Sequence, residues 1–230
     1  MEKPWIMFQQ WEDVLFLHWP VPQKLLVPHI PAELELDAYD GCAWISLVLF
    51  KAKNTRPRFM PPVPGVRTYL ELNVRTYVKC KGKAGVFFFS LDADSLLAVK
   101  AATTGDFLPY RYARMCLAKK EETWKFSSQV IHPGTVPESL RLSFQIASPP
   151  IEKNRLDRWL VERYCLWTKP KNQVFRVDIA HEPWTLQYVK GSIHHNSMAS
   201  FILVKLPQEQ AIVHYSKSQK VRFYPPVIEK

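Results

Sequence analysis

Three polar side chains share one side of the most regular strand pattern in this chain. Between Thr68 and Lys79, Leu70, Leu72, Val74, Thr76 and Val78 alternate with Tyr69, Glu71, Asn73, Arg75 and Tyr77. In an extended strand alternate residues lie on one face. A carboxylate, an amide and a guanidinium at that spacing suit the handling of a small polar ligand. Arginine holds a carboxylate or phosphate through two parallel hydrogen bonds, and Glu71 can take a proton as a general base. The plainer alternative is a solvated strand face carrying cross-strand ion pairs.

Histidine and cysteine offer less. His181-Glu182-Pro183-Trp184 is a compact group in which His181 could shuttle protons at a pocket rim. A structural histidine satisfied by backbone is the simpler reading. His194 and His195 are adjacent, so on a strand they point apart. With His181 and His214 they match neither a zinc-protease nor a facial-triad spacing. No metal site is expected. Cys42, Cys80, Cys116 and Cys165 show no C-x-x-C pairing and are expected to be free, mostly buried thiols.

The 230 residues are 47% hydrophobic and 23% charged, an ordinary globular balance that excludes disorder. Nineteen prolines against seven glycines favour pre-set turns over Gly-rich phosphate loops. The N-terminus lacks a signal-type apolar segment, and the apolar runs at Ala43–Phe50 and Phe201–Val204 fall short of the roughly 20 residues a spanning helix takes. A cytoplasmic protein without membrane partners is expected. The net charge of +10 is concentrated in Lys51, Lys53, Arg56, Arg58, Arg67, Arg75, Lys79, Lys81 and Lys83, opposed locally by Glu71 alone. Such a run attracts phosphate non-specifically, but it fits no helix-turn-helix, zinc-finger or ribonucleoprotein pattern. Specific nucleic-acid binding is therefore not the leading reading. The eight tryptophans read as core and interface residues rather than base-stacking platforms.

These groups must be positioned by many short strands and few helices. The patterning predicts a strand at Val14–His18, then a short helix ending before Pro28, a buried strand at Ala43–Phe50 and a proline-rich loop at Thr55–Gly65. Strand Thr68–Lys79 continues through a turn at Lys81–Gly85 into Val86–Leu91. Asp94 or Ser95 caps a helix through Ala101 with Gly105 as its stop. A hairpin follows at Arg111–Ala118 and Trp124–Ile131, with a strand at Leu140–Ala147. Leu156, Trp159, Leu160, Arg163, Tyr164 and Trp167 predict a helix over Asn154–Trp167. Strands are expected again at Val174–Ala180, Met198–Leu206, Ile212–Tyr215 and Val221–Tyr224. With no linker or repeat, residues 1–230 read as a single domain, a mainly β, β-rich α+β barrel or sandwich.

Several stretches resemble the YqjF-like bacterial family, whose members are described only as proteins of unknown function. They are Phe16-Leu17-His18-Trp19-Pro20, Glu71 through Val78, Phe88-Phe89-Ser90-Leu91-Asp92-Ala93, Leu108 through Met115, Glu162-Arg163-Tyr164, His181-Glu182-Pro183-Trp184, and His214-Tyr215-Ser216 with Tyr224-Pro225-Pro226. That family is remotely similar to acetoacetate decarboxylase. The resemblance implies a closed or near-closed antiparallel β-barrel with a few peripheral helices and an interior site. The enzyme's Pro-Lys-Lys-Leu-Ala stretch resembles Pro109-Tyr110-Arg111-Tyr112-Ala113. Tyr110 then stands where the Schiff-base lysine belongs, and Arg111 replaces the second lysine, whose charge lowers the first one's pKa. Only a neutral amine attacks the ketone. A phenol forms no imine, so decarboxylase activity should be absent. Lys100 is the nearest lysine, on a helix expected to turn it to water.

On this resemblance Glu71, Asn73, Arg75, Tyr110 and Arg111 converge on a ligand, with His181 at the rim. Glu71, Tyr110 and Arg111 are the catalytic candidates. The expected partner is a small anionic or carbonyl-containing metabolite, with no cofactor, and a homo-oligomer is left open. Two other functions stay open from sequence. One is a nucleic-acid-associated protein using residues 51–83, the other a structural or interaction domain with a filled interior.

Overall fold

Short apolar runs punctuated by proline leave little room for helices, and strands dominate the structure. A computed structural model describes residues 4–103 and 107–229. In chain order its elements are β1 (Met7–Val21), β2 (Glu35–Leu36), β3 (Ala43–Pro57), β4 (Thr68–Cys80), β5 (Lys83–Ala93), α1 (Leu96–Ala102), β6 (Tyr110–Lys120), β7 (Thr123–Val130), β8 (Ser139–Ile146), α2 (Arg155–Val161), β9 (Cys165–Thr168), β10 (Val174–Ala180), β11 (Gln187–Asn196), β12 (Ile212–Phe223) and β13 (Val227–Glu229).

The pairings close two rings that share a wall. One ring runs β4–β3–β1–β12–β10–β9–β5 and back to β4. It is near-closed: Val86 and Phe87 meet Leu166 and Trp167, and Ile179 and Ala180 meet Phe223 and Arg222. The other ring leaves β5 through β6, β7, β8 and β11 and rejoins at β12. Most neighbours are antiparallel as expected. The exceptions are β5 with β6, joined across α1, and β5 with β9.

The shared strands β1, β3 and β4 are buried on both sides, and their period of two sorts side chains between the rings. Leu15, Leu17, Leu47, Leu49, Leu72 and Val74 pack into the β6–β7–β8–β11 side with Phe126, Leu140 and Phe144. Val14, Phe16, Val48, Phe50 and Tyr69 face the other ring, with Leu160, Leu166 and Trp184. Each such side chain gains roughly 1.5–3 kcal/mol from burial. A one-residue slip of β4 would exchange its apolar set for its polar one.

Several elements differ from the sequence expectation. β1 extends far beyond Val14–His18, bending at Asp13, whose φ is 53°. The helix before Pro28 is two single 3-10 turns, Gln23–Leu25 and Val27–His29. Pro28 sits in the first turn of the second, where its missing N–H costs nothing. β3 runs into the expected loop as far as Pro57. The β4–β5 turn is tighter than expected: Lys81 and Gly82 both have positive φ (49° and 77°), which matches strand twist. Ser95 caps α1 by accepting from the Ala98 N–H, whereas Gly105 lies outside the described residues.

The larger corrections come after residue 154. The expected helix Asn154–Trp167 ends at Val161. The Arg163 guanidinium turns inward to Asp37 and to the carbonyl of Trp159, and Cys165–Thr168 becomes β9, filling the slot between β5 and β10. Met198–Leu206 is a 3-10 turn at Ser200–Ile202 between left-handed Ala199 and Leu203, not a strand. Ile212–Tyr215 and Val221–Tyr224 are one strand, because polar Ser216, Ser218 and Lys220 continue the ladder against β1. Strands β2, β11 and β13 were not foreseen.

Candidate ligand cavity

The ring containing β9 and β10 encloses a cavity of about 500 Å³. Tyr69, Glu71, Asn73 and Arg75 of β4 all line it, since Leu72 and Val74 are claimed by the opposite core. Tyr110 reaches it from the start of β6, Arg163 from just beyond α2, and His181 from the segment after β10. The remaining wall is mainly apolar and aromatic.

Glu71 is 4% exposed, and its Oε2 accepts a hydrogen bond from the Tyr110 hydroxyl at 2.8 Å. Burial pushes its pKa up to about 7. The hydrogen bonds from Tyr110 and Asn73 resist that rise, and the negative Asp92 adds to it. Burial and the Glu71 charge hold the Tyr110 phenol well above its usual range. The pair can therefore exchange a proton with a ligand near neutral pH, with Glu71 as the titrating member.

Arg75 stands differently. Its Nε and Nη2 are buried with no hydrogen-bond partner, and no carboxylate lies within ion-pair distance of it among the described residues. Its guanidinium carbon lies 5.8 Å from the Phe16 ring and 6.0 Å from the Tyr77 ring. Burial draws its pKa down from the ordinary arginine value. The Oδ1 of Asn73, in a side chain 3% exposed, also lacks a partner. A buried charge and a buried carbonyl without partners each cost stability. Behind Arg75, the Ser46 hydroxyl links His18 Nδ1 (2.7 Å) to the Tyr77 hydroxyl (2.7 Å), and burial keeps His18 neutral.

Arg163 was not singled out by sequence, because its spacing fitted a helix face. It donates from Nη1 to Asp37 Oδ2 (2.7 Å) and from Nε to the Trp159 carbonyl (2.7 Å), with Nη2 left over. Its charge is thus met by Asp37. Tyr69 accepts from Gln9 Nε2 at 2.9 Å, and Gln9 in turn accepts from the Trp11 indole at 2.8 Å. Alternation within β4 was the signal that could have added Tyr69 to the site.

The other candidates divide. The His181 Nδ1–H donates to the Glu182 carbonyl at 2.8 Å, and burial lowers the pKa of the ring. It lines the cavity while being satisfied by backbone. Arg111 does not line it: as the residue after Tyr110 on a strand, it faces the other way. There it holds Asp92 through Nε (2.6 Å) and Nη2 (3.0 Å), Glu138 through Nη1 (2.6 Å) and Ser90 (3.1 Å). The expectation that Arg111 joins the ligand group is corrected to a buried ion-pair cluster. Lys100 is exposed on α1, which turns Ala98, Ala101 and Ala102 to the cavity. Among the described residues no lysine lines the cavity.

Elsewhere, the described residues hold no cluster of three or more metal-binding side chains. All four cysteines are free, but only Cys80 and Cys165 are buried, so the expectation of mostly buried thiols holds for two of them. No helix of the described residues is long and apolar enough to cross a membrane. The basic run is broken up: Lys51, Lys53, Lys79 and Lys83 pair with Asp13, Glu12, Asp37 and Asp178, and Arg75 is internal.

Comparison with known proteins agrees with this architecture. The DUF2071 family, described as an uncharacterized conserved protein, matches residues 8–220. The protein YqjF of Bacillus subtilis is 43% identical over 223 residues, covering 96% of this chain and 91% of that protein. Among solved structures, an acetoacetate decarboxylase-like enzyme from Sphingomonas wittichii superposes with a TM-score of 0.68 at 12% identity, covering 99% of this chain and 94% of that one. Acetoacetate decarboxylase from Legionella pneumophila gives 0.65 at 14%, covering 99% and 89%. The enduracididine biosynthesis enzyme MppR complexed with pyruvate gives 0.66 at 10%, covering 99% and 91%. At these identities the solved structures speak for the fold alone.

Proposed function

The chain belongs to the DUF2071 family and has an acetoacetate decarboxylase-like fold, and from that premise we propose that its cavity binds a small organic acid bearing a carbonyl group. The observation that carries this reading is Arg75. A buried guanidinium with two unpartnered nitrogens and no carboxylate of its own is suited to an anionic ligand. Asn73 and the Glu71–Tyr110 pair lie along the same strand face. They offer a ligand carbonyl an acid–base partner whose pKa is already near 7. Pyruvate, held by MppR in its complex, has this combination of carboxylate and carbonyl.

The proposed chemistry is proton transfer next to the carbonyl, without an imine. Glu71 takes the α-proton, the C–H electron pair moves toward the carbonyl oxygen, and Tyr110 keeps the carboxyl group oriented. Imine formation needs an amine, and the cavity supplies none among the described residues.

A thermal-shift screen of organic acids tests the binding. At a concentration 100-fold above Kd, the stabilisation of about 2.7 kcal/mol corresponds to a rise in Tm of roughly 5–10 °C for a chain of this size. The rise should vanish in Arg75→Met. A broad panel with no shift, or a shift that survives Arg75→Met, would refute the proposal.

A further inference from the structure

The cavity is larger and more apolar than a three- or four-carbon keto acid requires. A cavity of about 150 Å³ already accommodates benzene, and this one is more than three times that volume at about 500 Å³. One side of it is a continuous aromatic surface. The Trp11 ring lies 4.8 Å from Phe50, 6.1 Å from Trp184 and 6.2 Å from Phe223, and Phe16 meets Trp184 edge-on at 4.9 Å. The Trp11 indole donates to Gln9, and Gln9 donates to Tyr69, so these three polar groups satisfy one another. This surface adjoins Arg75 through Phe16.

The charges add a second restriction. Arg163 is matched by Asp37, so Arg75 is the one unmatched cation among the described cavity-lining residues. Glu71 would repel a second carboxylate once ionised. Resting on the reading of Arg75 as the acid's anchor, we propose that the ligand is a monocarboxylate with an extended apolar body, aryl or alkyl, of about 10–15 heavy atoms. The body lies on Trp11, Phe16, Phe50 and Trp184, and short keto acids and dicarboxylates are poor ligands.

Titration calorimetry on the full chain, with acids of graded length, tests this. Affinity should rise about fourfold per methylene from butyrate to octanoate, and 4-phenylbutyrate should bind better than pyruvate by about three orders of magnitude on the same scale. Suberate, a dicarboxylate as long as octanoate, should bind at least tenfold more weakly than octanoate. Ala98→Phe, which fills the cavity from α1, should lose octanoate and retain acetate. If pyruvate binds as tightly as octanoate and still depends on Arg75, the apolar subsite falls while the anion site stands. If suberate equals octanoate, the single-charge argument falls. If no acid binds, the anion site falls too.

Discussion

Two arginines in different surroundings make opposite predictions about stability. Arg111 neutralises Asp92, which is fully buried, and Glu138, which is nearly so. Removing it strands two carboxylates, and Arg111→Ala should cost about 3–5 kcal/mol in urea unfolding. Arg75 has no such partner, so Arg75→Met should leave the free protein as stable or stabilise it by about 1 kcal/mol, while abolishing acid binding. A large stability loss on removing Arg75 would mean that it serves the fold rather than a ligand. Glu71 adds a pH dependence of known sign. Its pKa is about 7 when folded, against about 4.5 for an ordinary glutamate. Between those values the folded chain holds a proton that the unfolded chain has lost. This contribution to stability is complete below about pH 4.5 and is lost as pH rises through 7. Glu71→Gln removes the titration, so its stability should gain on wild type by on the order of 3 kcal/mol between pH 4.5 and 8. Parallel pH profiles for the two proteins would contradict the raised pKa.

Among the elements, α2 and β9 show how local pattern yields to tertiary demand. Asn154 and Asp157 form a reciprocal cap at the start of α2, visible in sequence as a polar residue before a periodic apolar run. Asn154→Ala should cost about 1 kcal/mol, read from chemical denaturation. The end of the same helix was not legible. Tyr164-Cys165-Leu166-Trp167 keeps helical spacing but also suits a strand, and only the open edges of β5 and β10 decide between them. β4 was legible because both of its faces are consistent with one period, and its polar face named Glu71, Asn73 and Arg75. β11 was hidden by its polarity: most of its residues are exposed, and only Val189 and Ile193 pack against the core. Closure of the ring is likewise written in a single glycine. A methyl group on Gly85 would stand 2.6 Å from Cys165 Sγ and 2.7 Å from its carbonyl oxygen. Gly85→Ala should therefore separate β5 from β9 at a cost of about 1–3 kcal/mol and weaken acid binding with it. An Ala variant that melts with wild type would show that β9 can move aside freely.

The whole molecule divides its interior by polarity as well as by packing. On the side of β6, β7, β8 and β11 the shared wall meets leucine and phenylalanine, and nothing charged faces inward from β4. On the other side β4 presents the carboxylate, amide and guanidinium. The sequence showed two alternating faces; which of them met an enclosed space depended on β9, β10 and β12 arriving from far along the chain. A smaller cavity of about 360 Å³ also lies between β8, β11 and β12, lined by Leu15, Leu142 and Val213, and the one cation among its described lining residues, Lys190, is exposed. An acid should avoid it, because an exposed lysine attracts an anion weakly in water, whereas Arg75 is buried with unpartnered nitrogens. Amide hydrogen exchange with and without octanoate separates the two cavities. Binding at Arg75 should slow exchange in β4, β5, β10 and α1, the elements around the larger cavity, and leave β7, β8 and β11 unchanged. Protection concentrated in β8 and β11 would move the ligand to the smaller cavity and leave the Arg75 guanidinium unexplained.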